Sequence, residues 1–134
     1  MIFIIGGAYQ GKLEYALDLY NFKKDEVANC FDANKSEVCT KPVVYNFHLL
    51  IKRLLEEFED NSKVKEEVNK ILAKNPNAVI ISNEIGYGVV PIDKNDRQYR
   101  ELTGRISCEI AKISSEVHRV VCGIGTIIKE RKND

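Results

Sequence analysis

The chain has 134 residues, of which 44% are hydrophobic and 30% are charged. This length fits one domain, residues 1–134, and the balance of side chains excludes a disordered chain. The 20 basic and 20 acidic side chains cancel, which excludes a general electrostatic attraction to nucleic acid or to an anionic membrane. A basic leader and a run of 18 apolar residues are both missing, so we expect a cytoplasmic protein without membrane or nucleic-acid partners.

The first element is a buried strand over the apolar residues 2–5, which ends at Gly6 and Gly7. A helix of about three turns is predicted from Lys12, because apolar side chains recur at helical spacing after it. Between them lies the pattern G-x-x-x-x-G-K, which is typical of a phosphate-binding loop. In such a loop the backbone N–H groups and the helix N-terminus surround an anion, and the lysine reaches the β- and γ-phosphates.

The sequence therefore predicts a nucleotide site in this strand-to-helix loop. Leu13 stands where a Ser or Thr hydroxyl would hold Mg²⁺, and this weakens the prediction of catalysis more than that of binding. The alternative is a glycine-rich turn with an incidental lysine. The predicted nucleotide-binding residues are Gly6, Gly7, Ala8, Tyr9, Gln10, Gly11, Lys12 and Leu13.

The middle of the chain is predicted to hold a short strand within 25–31 and a loop over 32–43. Two amphipathic helices follow, over 44–58 and 63–73. Four cysteines are spread along the chain without a C-x-x-C pair, which favours unbridged thiols over a metal site.

The last third begins with a buried strand over 79–82 and a long loop over 83–96. Asp96 is expected to cap a final helix whose apolar positions recur as far as Val117. A strand over 119–124 follows, and the residues "TIIK" are expected to pair back against it. Strands that alternate with helices predict an α/β fold with a mainly parallel sheet.

Glu84 directly follows the strand over 79–82, which should lie near the first strand. At the carboxyl ends of parallel strands it could hold Mg²⁺ through water or orient an attacking hydroxyl. The alternative is a solvated loop carboxylate. Asp32 is a second candidate carboxylate for a metal near the phosphates. Catalysis is thus expected to depend on Lys12 and Glu84.

The segment from residue 79 to residue 129 resembles the adenosylcobinamide kinase/adenosylcobinamide-phosphate guanylyltransferase family, which acts in cobalamin biosynthesis. The family pattern is close to T-N-E-V-G-x-G-I-V-P, then R-x-[FYW]-R-[DE]-x-x-G-R-x-N-Q-x-[LI]-A, then a late V-x-G-[IL]. The opening "IIGGAYQGK" is similar to the family's G-G-x-R-S-G-K-S loop. Matching positions are Asn83, Glu84, Gly86, Gly88, Val90, Pro91, Arg97, Tyr99, Arg100, Glu101, Gly104, Arg105, Ala111 and Gly123.

The resemblance implies a three-layer P-loop NTPase-like fold, a purine nucleoside triphosphate (GTP or ATP, with Mg²⁺) as donor, and a cobinamide-type substrate. The resemblance also implies that the protein forms a homo-oligomer, and specifically a homotrimer. The three arginines, at 97, 100 and 105, would pair with acids or line a subunit interface, although composition favours a solvated helix face.

Three departures from the family pattern are Leu13, the pair Ser107 and Cys108 in place of Asn-Gln, and a shortened middle region. In the family, the corresponding region carries the histidine that becomes guanylylated and a D-x-x-T strand end that helps to hold metal. His48 is the candidate here, and it is expected to be a histidine packed at a helix edge rather than a nucleophile. His118 carries no signal.

The sequence therefore predicts a nucleotide-dependent transferase that phosphorylates the aminopropanol hydroxyl of a cobinamide, with the guanylyl step unassigned. The alternative is a non-catalytic nucleotide-binding homologue that acts as a sensor or partner subunit. A kinase for another small alcohol is the third possibility.

Overall fold

The structure is a computed structural model that describes residues 1–85 and 93–130. Six strands form a single sheet in this part of the chain. The strands are β1 Ile2–Gly6, β2 Val27–Asn29, β3 Val43–Tyr45, β4 Val79–Asn83, β5 Glu116–Val121 and β6 Ile124–Lys129.

The order of the strands is β2-β3-β4-β1-β5-β6. β1 lies between β4 and β5 and is parallel to both, and β3 is parallel to β2 and β4. β6 forms an antiparallel hairpin with β5. The mainly parallel sheet, the position of β4 beside β1 and the pairing of "TIIK" are therefore confirmed.

Helices cover both faces of the sheet. Neighbouring residues of a strand point to opposite faces, so each buried strand contributes side chains to both layers of helices. Phe3 packs in a cluster with side chains from the three longest helices, whereas Ile4 packs in a second cluster with Ala16 of the first helix. These two cores give the three-layer arrangement that the family resemblance implied. The helices are α1 Lys12–Tyr20, α2 Lys35–Thr40, α3 Phe47–Phe58, α4 Asn61–Lys74 and α5 Lys94–Ile113, with a 3-10 turn at Lys24–Glu26.

The prediction of a loop over 32–43 was wrong, because this segment contains α2 and the start of β3. Asn34 caps the helix: its side chain accepts a hydrogen bond from the N–H of Glu37, whose carboxylate accepts from the N–H of Asn34. This reciprocal capping stabilises a six-residue helix that has too few apolar positions for its period to be seen.

The predicted helix over 44–58 begins too early, since Val43–Tyr45 is a strand and the helix starts at Phe47. Asn46, with φ 58°, has a left-handed backbone that separates the two elements. Val43 and Val44 are fully buried against β2 and β4, so sheet pairing decides the structure of these β-branched residues.

The final helix is bounded differently from the prediction. Asp93 is its N-cap and accepts from the N–H of Asn95, while Asp96 lies in the first turn and pairs with Arg100. The helix ends at Ile113, and Val117 belongs to β5. Residues 86–92 of the predicted loop over 83–96 lie outside the described residues. No helix in the described ranges is long and apolar enough to cross a membrane.

Burial along α5 provides a direct test of this architecture. Ile110 is 1% exposed, whereas Ile113, one turn further along the same helix, is 63% exposed. We expect Ile110→Ala to lower the free energy of unfolding by about 2–5 kcal/mol, because it removes buried methyl groups and leaves a cavity. Urea denaturation measures the change, and Ile113→Ala is the matched control, with a change within about 0.5 kcal/mol. Equal losses in the two variants would contradict the packing of α5.

Candidate functional site

The glycine-rich loop of residues 6–12, here called the phosphate loop, lies at the middle of the sheet. It connects the carboxyl end of β1 to α1, and the strands on either side of β1 end beside it. Open parallel sheets bind their ligands beyond the carboxyl ends of the strands, which is where this loop lies. A Cβ on Gly6 would lie 2.5 Å from the carbonyl oxygen of Val120 in β5, so the close approach of the strands at this point requires glycine.

The backbone N–H groups of the phosphate loop are available to a ligand. Tyr9 (φ 60°) and Gly11 (φ 81°) have left-handed backbones, and positions 7–9 are exposed. Across residues 1–85 and 93–130, no protein oxygen accepts a hydrogen bond from the N–H groups of positions 7–11. Turns with such N–H groups, followed by a helix N-terminus, are suited to binding anions.

Lys12 starts α1 and extends back over the phosphate loop. Its side chain is buried, and its ammonium donates a hydrogen bond to the carbonyl oxygen of Gly7 at 2.6 Å. Burial lowers the pKa of Lys12 because the charged form loses water, and the nearby carboxylate of Glu84 partly opposes this shift. The ammonium is thus held beside the unpaired N–H groups.

The loop's other side chains differ in position. Tyr9 is fully exposed. Gln10 accepts two hydrogen bonds from the turn between β5 and β6. Its side-chain Oε1 accepts from the N–H of Cys122, and its backbone carbonyl oxygen accepts from the N–H of Gly123. Ala8 is exposed, and its carbonyl oxygen accepts a hydrogen bond from the side-chain Nε2 of Gln10 at 3.5 Å.

Leu13 is directed into the protein. It packs against the core cluster that contains Ile4 and Ala16. The position that follows the loop lysine therefore contributes apolar contacts, and it has no hydroxyl that could bind a cation.

Glu84 lies beside the loop, since its N–H donates to the carbonyl oxygen of Gly6 at 2.8 Å. Arg119 of β5 binds both oxygens of its carboxylate, with Nε–Oε1 and Nη2–Oε2 distances of 2.8 and 3.2 Å. The Glu84 side chain is only 11% exposed. The structure thus brings Glu84 and Lys12 together, and it adds Arg119. No local pattern in the sequence points to Arg119, because its partner is 35 residues away.

His48 lies in the first turn of α3 and is buried. Its Nδ1 accepts a hydrogen bond from the N–H of Asn83 at 3.2 Å. Burial, with a smaller contribution from the positive charge of Lys12, lowers the pKa of His48 to about 4. The prediction of a packed histidine agrees with this position, and the neutral ring supports the end of β4 next to Glu84.

Asp32 lies in the turn after β2, where its N–H donates to the carbonyl oxygen of Asn29. β3 and β4 separate β2 from β1. At the usual spacing of strands this is roughly 14 Å. The sheet therefore does not place Asp32 beside the phosphate loop.

The buried His118 is a feature that the sequence analysis missed. Its Nδ1 and Nε2 lie 2.7 and 3.2 Å from the hydroxyls of Tyr15 and Tyr20. These contacts join β5 to α1 immediately after the phosphate loop. Because His118 is about 100 residues from both tyrosines, only the fold could reveal the cluster.

Among the arginines of the family pattern, Arg100 pairs with Asp96 within α5. Arg97 and Arg105 are exposed. The glycines and the proline of that pattern, positions 86, 88 and 91, lie outside the described residues.

Within the described residues, the side chains at the loop do not form a Mg²⁺ site. Leu13 is apolar, and Arg119 occupies the carboxylate of Glu84. Residues 1–85 and 93–130 contain no group of three or more His, Cys, Asp or Glu side chains able to hold a metal. Magnesium in nucleotide sites is held partly by phosphate oxygens, and we assign no step to a protein-bound ion.

The neutral state of His48 predicts a dependence of stability on pH. Its pKa is about 4 in the folded chain and 6.5 in the reference state, so the unfolded chain binds more protons between these values. The free energy of unfolding should therefore fall as the pH drops from 6.5 to 4. We expect His48→Gln, which keeps an acceptor for the N–H of Asn83, to lose this part of the decrease. Urea denaturation at several pH values measures it, and identical pH profiles would contradict the assignment.

Comparison with known proteins provides the context for this site. Residues 27–128, about three quarters of the chain, match the family model described as cobinamide kinase / cobinamide phosphate guanyltransferase. The phosphate loop lies before this range.

Two curated relatives, from Escherichia coli K12 and Salmonella typhimurium LT2, are each named bifunctional adenosylcobalamin biosynthesis protein CobU. Each is 41% identical to the chain over 51 residues, which are 38% of this chain and 28% of the relative. The similarity thus spans less than a third of the relatives' length. The match to the family model covers far more of the chain, and it shows that this protein belongs to the cobinamide kinase / cobinamide phosphate guanyltransferase family.

Proposed function

We propose that this protein binds a nucleoside triphosphate, GTP or ATP, at the phosphate loop and transfers a phosphoryl group to the aminopropanol hydroxyl of a cobinamide. The observation that carries the proposal is the buried Lys12 ammonium at the N-terminus of α1, held beside loop N–H groups that have no acceptor in the described part of the chain. Family membership supports cobinamide as the acceptor.

Phosphoryl transfer requires little covalent chemistry from the protein. The acceptor oxygen forms a bond to the γ-phosphorus while the bond from that phosphorus to the β–γ bridging oxygen breaks, and the nucleoside diphosphate leaves. Charge on the phosphate oxygens is stabilised by fixed donors, a role that the loop N–H groups and Lys12 fit. In this proposal Glu84 accepts the hydrogen bond and then the proton of the attacking hydroxyl. Its ion pair with Arg119, which holds the carboxylate in one orientation, supports this role.

We do not assign a guanylyl-transfer step to His48. Its ring is buried, and Nδ1 is already bonded to the N–H of Asn83. A nucleophilic histidine needs a ring nitrogen that can reach the α-phosphorus of the donor.

A second candidate function is nucleotide binding without catalysis, as a sensor or a partner subunit. Two observations favour it: Leu13 packs in the core where a metal-binding hydroxyl is usual, and the Glu84 carboxylate is engaged by Arg119. Both candidates predict binding of nucleotide, and only the first predicts turnover.

The first experiment tests nucleotide binding through Lys12. Because a charge-assisted hydrogen bond contributes about 1.5–3 kcal/mol, we expect Lys12→Ala to weaken GTP binding by about 10- to 100-fold. Titration calorimetry with GTP and ATP, with and without Mg²⁺, measures the affinity. Lys52→Ala removes an exposed lysine of α3 and should leave the affinity unchanged. If the unmodified chain binds neither nucleotide at millimolar concentration, both candidate functions are wrong.

The second experiment tests transfer. We expect Glu84→Gln to bind GTP but to transfer phosphate to cobinamide at least about 100-fold more slowly, because a neutral amide is a poor acceptor for the hydroxyl proton. Phosphate transfer is followed with γ-labelled GTP. Glu109→Gln is the matched control. It makes the same change in a carboxylate of α5 that pairs with Lys65 of α4, and it should leave the rate of transfer unchanged. Nucleotide binding without any turnover of the unmodified chain would instead support the second candidate.

A further inference from the structure

The turn between β5 and β6 contacts the phosphate loop directly. This β5–β6 turn consists of Cys122 (φ 51°) and Gly123 (φ 76°), both with left-handed backbones. Two such residues form the tight connection that suits the twist of an antiparallel hairpin. The turn therefore has a fixed shape, and its two N–H groups have fixed directions.

Both N–H groups of the turn donate to the same residue, Gln10 of the phosphate loop. Gly123 donates to the backbone carbonyl oxygen of Gln10 at 2.7 Å, and Cys122 donates to its side-chain Oε1 at 2.7 Å. The backbones are also close here, since a Cβ on Gly11 would lie 3.3 Å from the Cα of Gly123. Two hydrogen bonds thus hold the phosphate loop against the β5–β6 hairpin, which is more than 100 residues away in the sequence.

These contacts influence which groups of the loop can meet an anion. A carbonyl oxygen that faced a phosphate would repel it, and a flexible loop can rotate its peptide groups. The turn holds the two oxygens of Gln10 as hydrogen-bond acceptors, while the N–H groups of positions 7–11 have no protein acceptor within the described residues. Binding then needs less reorganisation of the loop, which favours affinity.

We propose that the β5–β6 turn is part of the nucleotide site and that Gln10 is a positioning residue, which keeps the phosphate loop in the shape that receives a triphosphate. Gln10 acts through the turn and not by contact with the phosphates. This inference rests on the proposed nucleotide binding.

Gln10→Met tests the proposal, because methionine has a similar length and lacks the Oε1 acceptor. We expect it to weaken the binding of GTP and of inorganic tripolyphosphate by about twofold to tenfold, the range for one hydrogen bond. Calorimetry measures both ligands, and tripolyphosphate reports on the loop without a base. The matched control is Gln98→Met, which removes a hydrogen bond from α5 to Asn61 of α4 and should leave both affinities unchanged.

Two further measurements separate positioning from a structural role and from direct contact. The unfolding free energies of the two variants without ligand should be similar, so a general loss of stability does not explain a selective loss of affinity. Amide hydrogen exchange should become slower at Cys122 and Gly123 when GTP binds the unmodified chain, because coupling between loop and turn is reciprocal. In Gln10→Met, GTP should no longer protect Cys122.

Three results would overturn the inference: unchanged affinities in Gln10→Met, equal losses in Gln98→Met, or no effect of GTP on exchange at the turn. If Lys12→Ala weakens GTP binding while Gln10→Met binds GTP as tightly as the unmodified chain, this inference fails and the proposed function stands. Absence of GTP binding to the unmodified chain refutes both.

Discussion

The parallel pairing of β1 with β4 on one side and β5 on the other is the constraint on which the site depends. It brings the phosphate loop, Glu84 and Arg119 together near the carboxyl ends of three neighbouring strands, although they come from three separate parts of the chain. The strands approach so closely at this edge that a Cβ on Gly6 would collide with the carbonyl oxygen of Val120. A glycine at the end of β1 is therefore needed by the sheet itself, in addition to any role in ligand binding.

The charges at the carboxyl ends of these strands are arranged around the exposed side of the phosphate loop. Lys12 is buried and donates to the carbonyl oxygen of Gly7, so its cation is available to phosphate at the cost of one hydrogen bond. Arg119 and Glu84 form a bidentate pair, and the buried ring of His48 supports the adjacent end of β4 as a neutral acceptor. Because the pair keeps Glu84 oriented and His48 adds no charge, Lys12 supplies the positive potential at the loop, together with the N-terminus of α1.

Membership of the cobinamide kinase / cobinamide phosphate guanyltransferase family and the details of the loop provide different information. The family match covers residues 27–128 and does not include the loop. The case for nucleotide binding is therefore physical: a strand, a turn whose N–H groups lack an acceptor among the described residues, a buried lysine and a helix follow in order. The apolar Leu13 is the main argument for binding without catalysis, since its side chain belongs to the core.

The sequence by itself determined the α/β class, the buried strands β1 and β4, the loop of residues 6–12 and the helices α1 and α4, because strong apolar periods and glycines are local signals. It did not determine β3, α2 or the N-cap Asp93, since a three-residue strand needs its neighbours and a six-residue helix depends on its capping box. The contacts of Arg119 with Glu84, of His118 with Tyr15 and Tyr20, and of Gln10 with the β5–β6 turn were decided by tertiary structure alone. Each joins residues that are between 35 and 112 positions apart, and only the order of the strands brings them within hydrogen-bond distance.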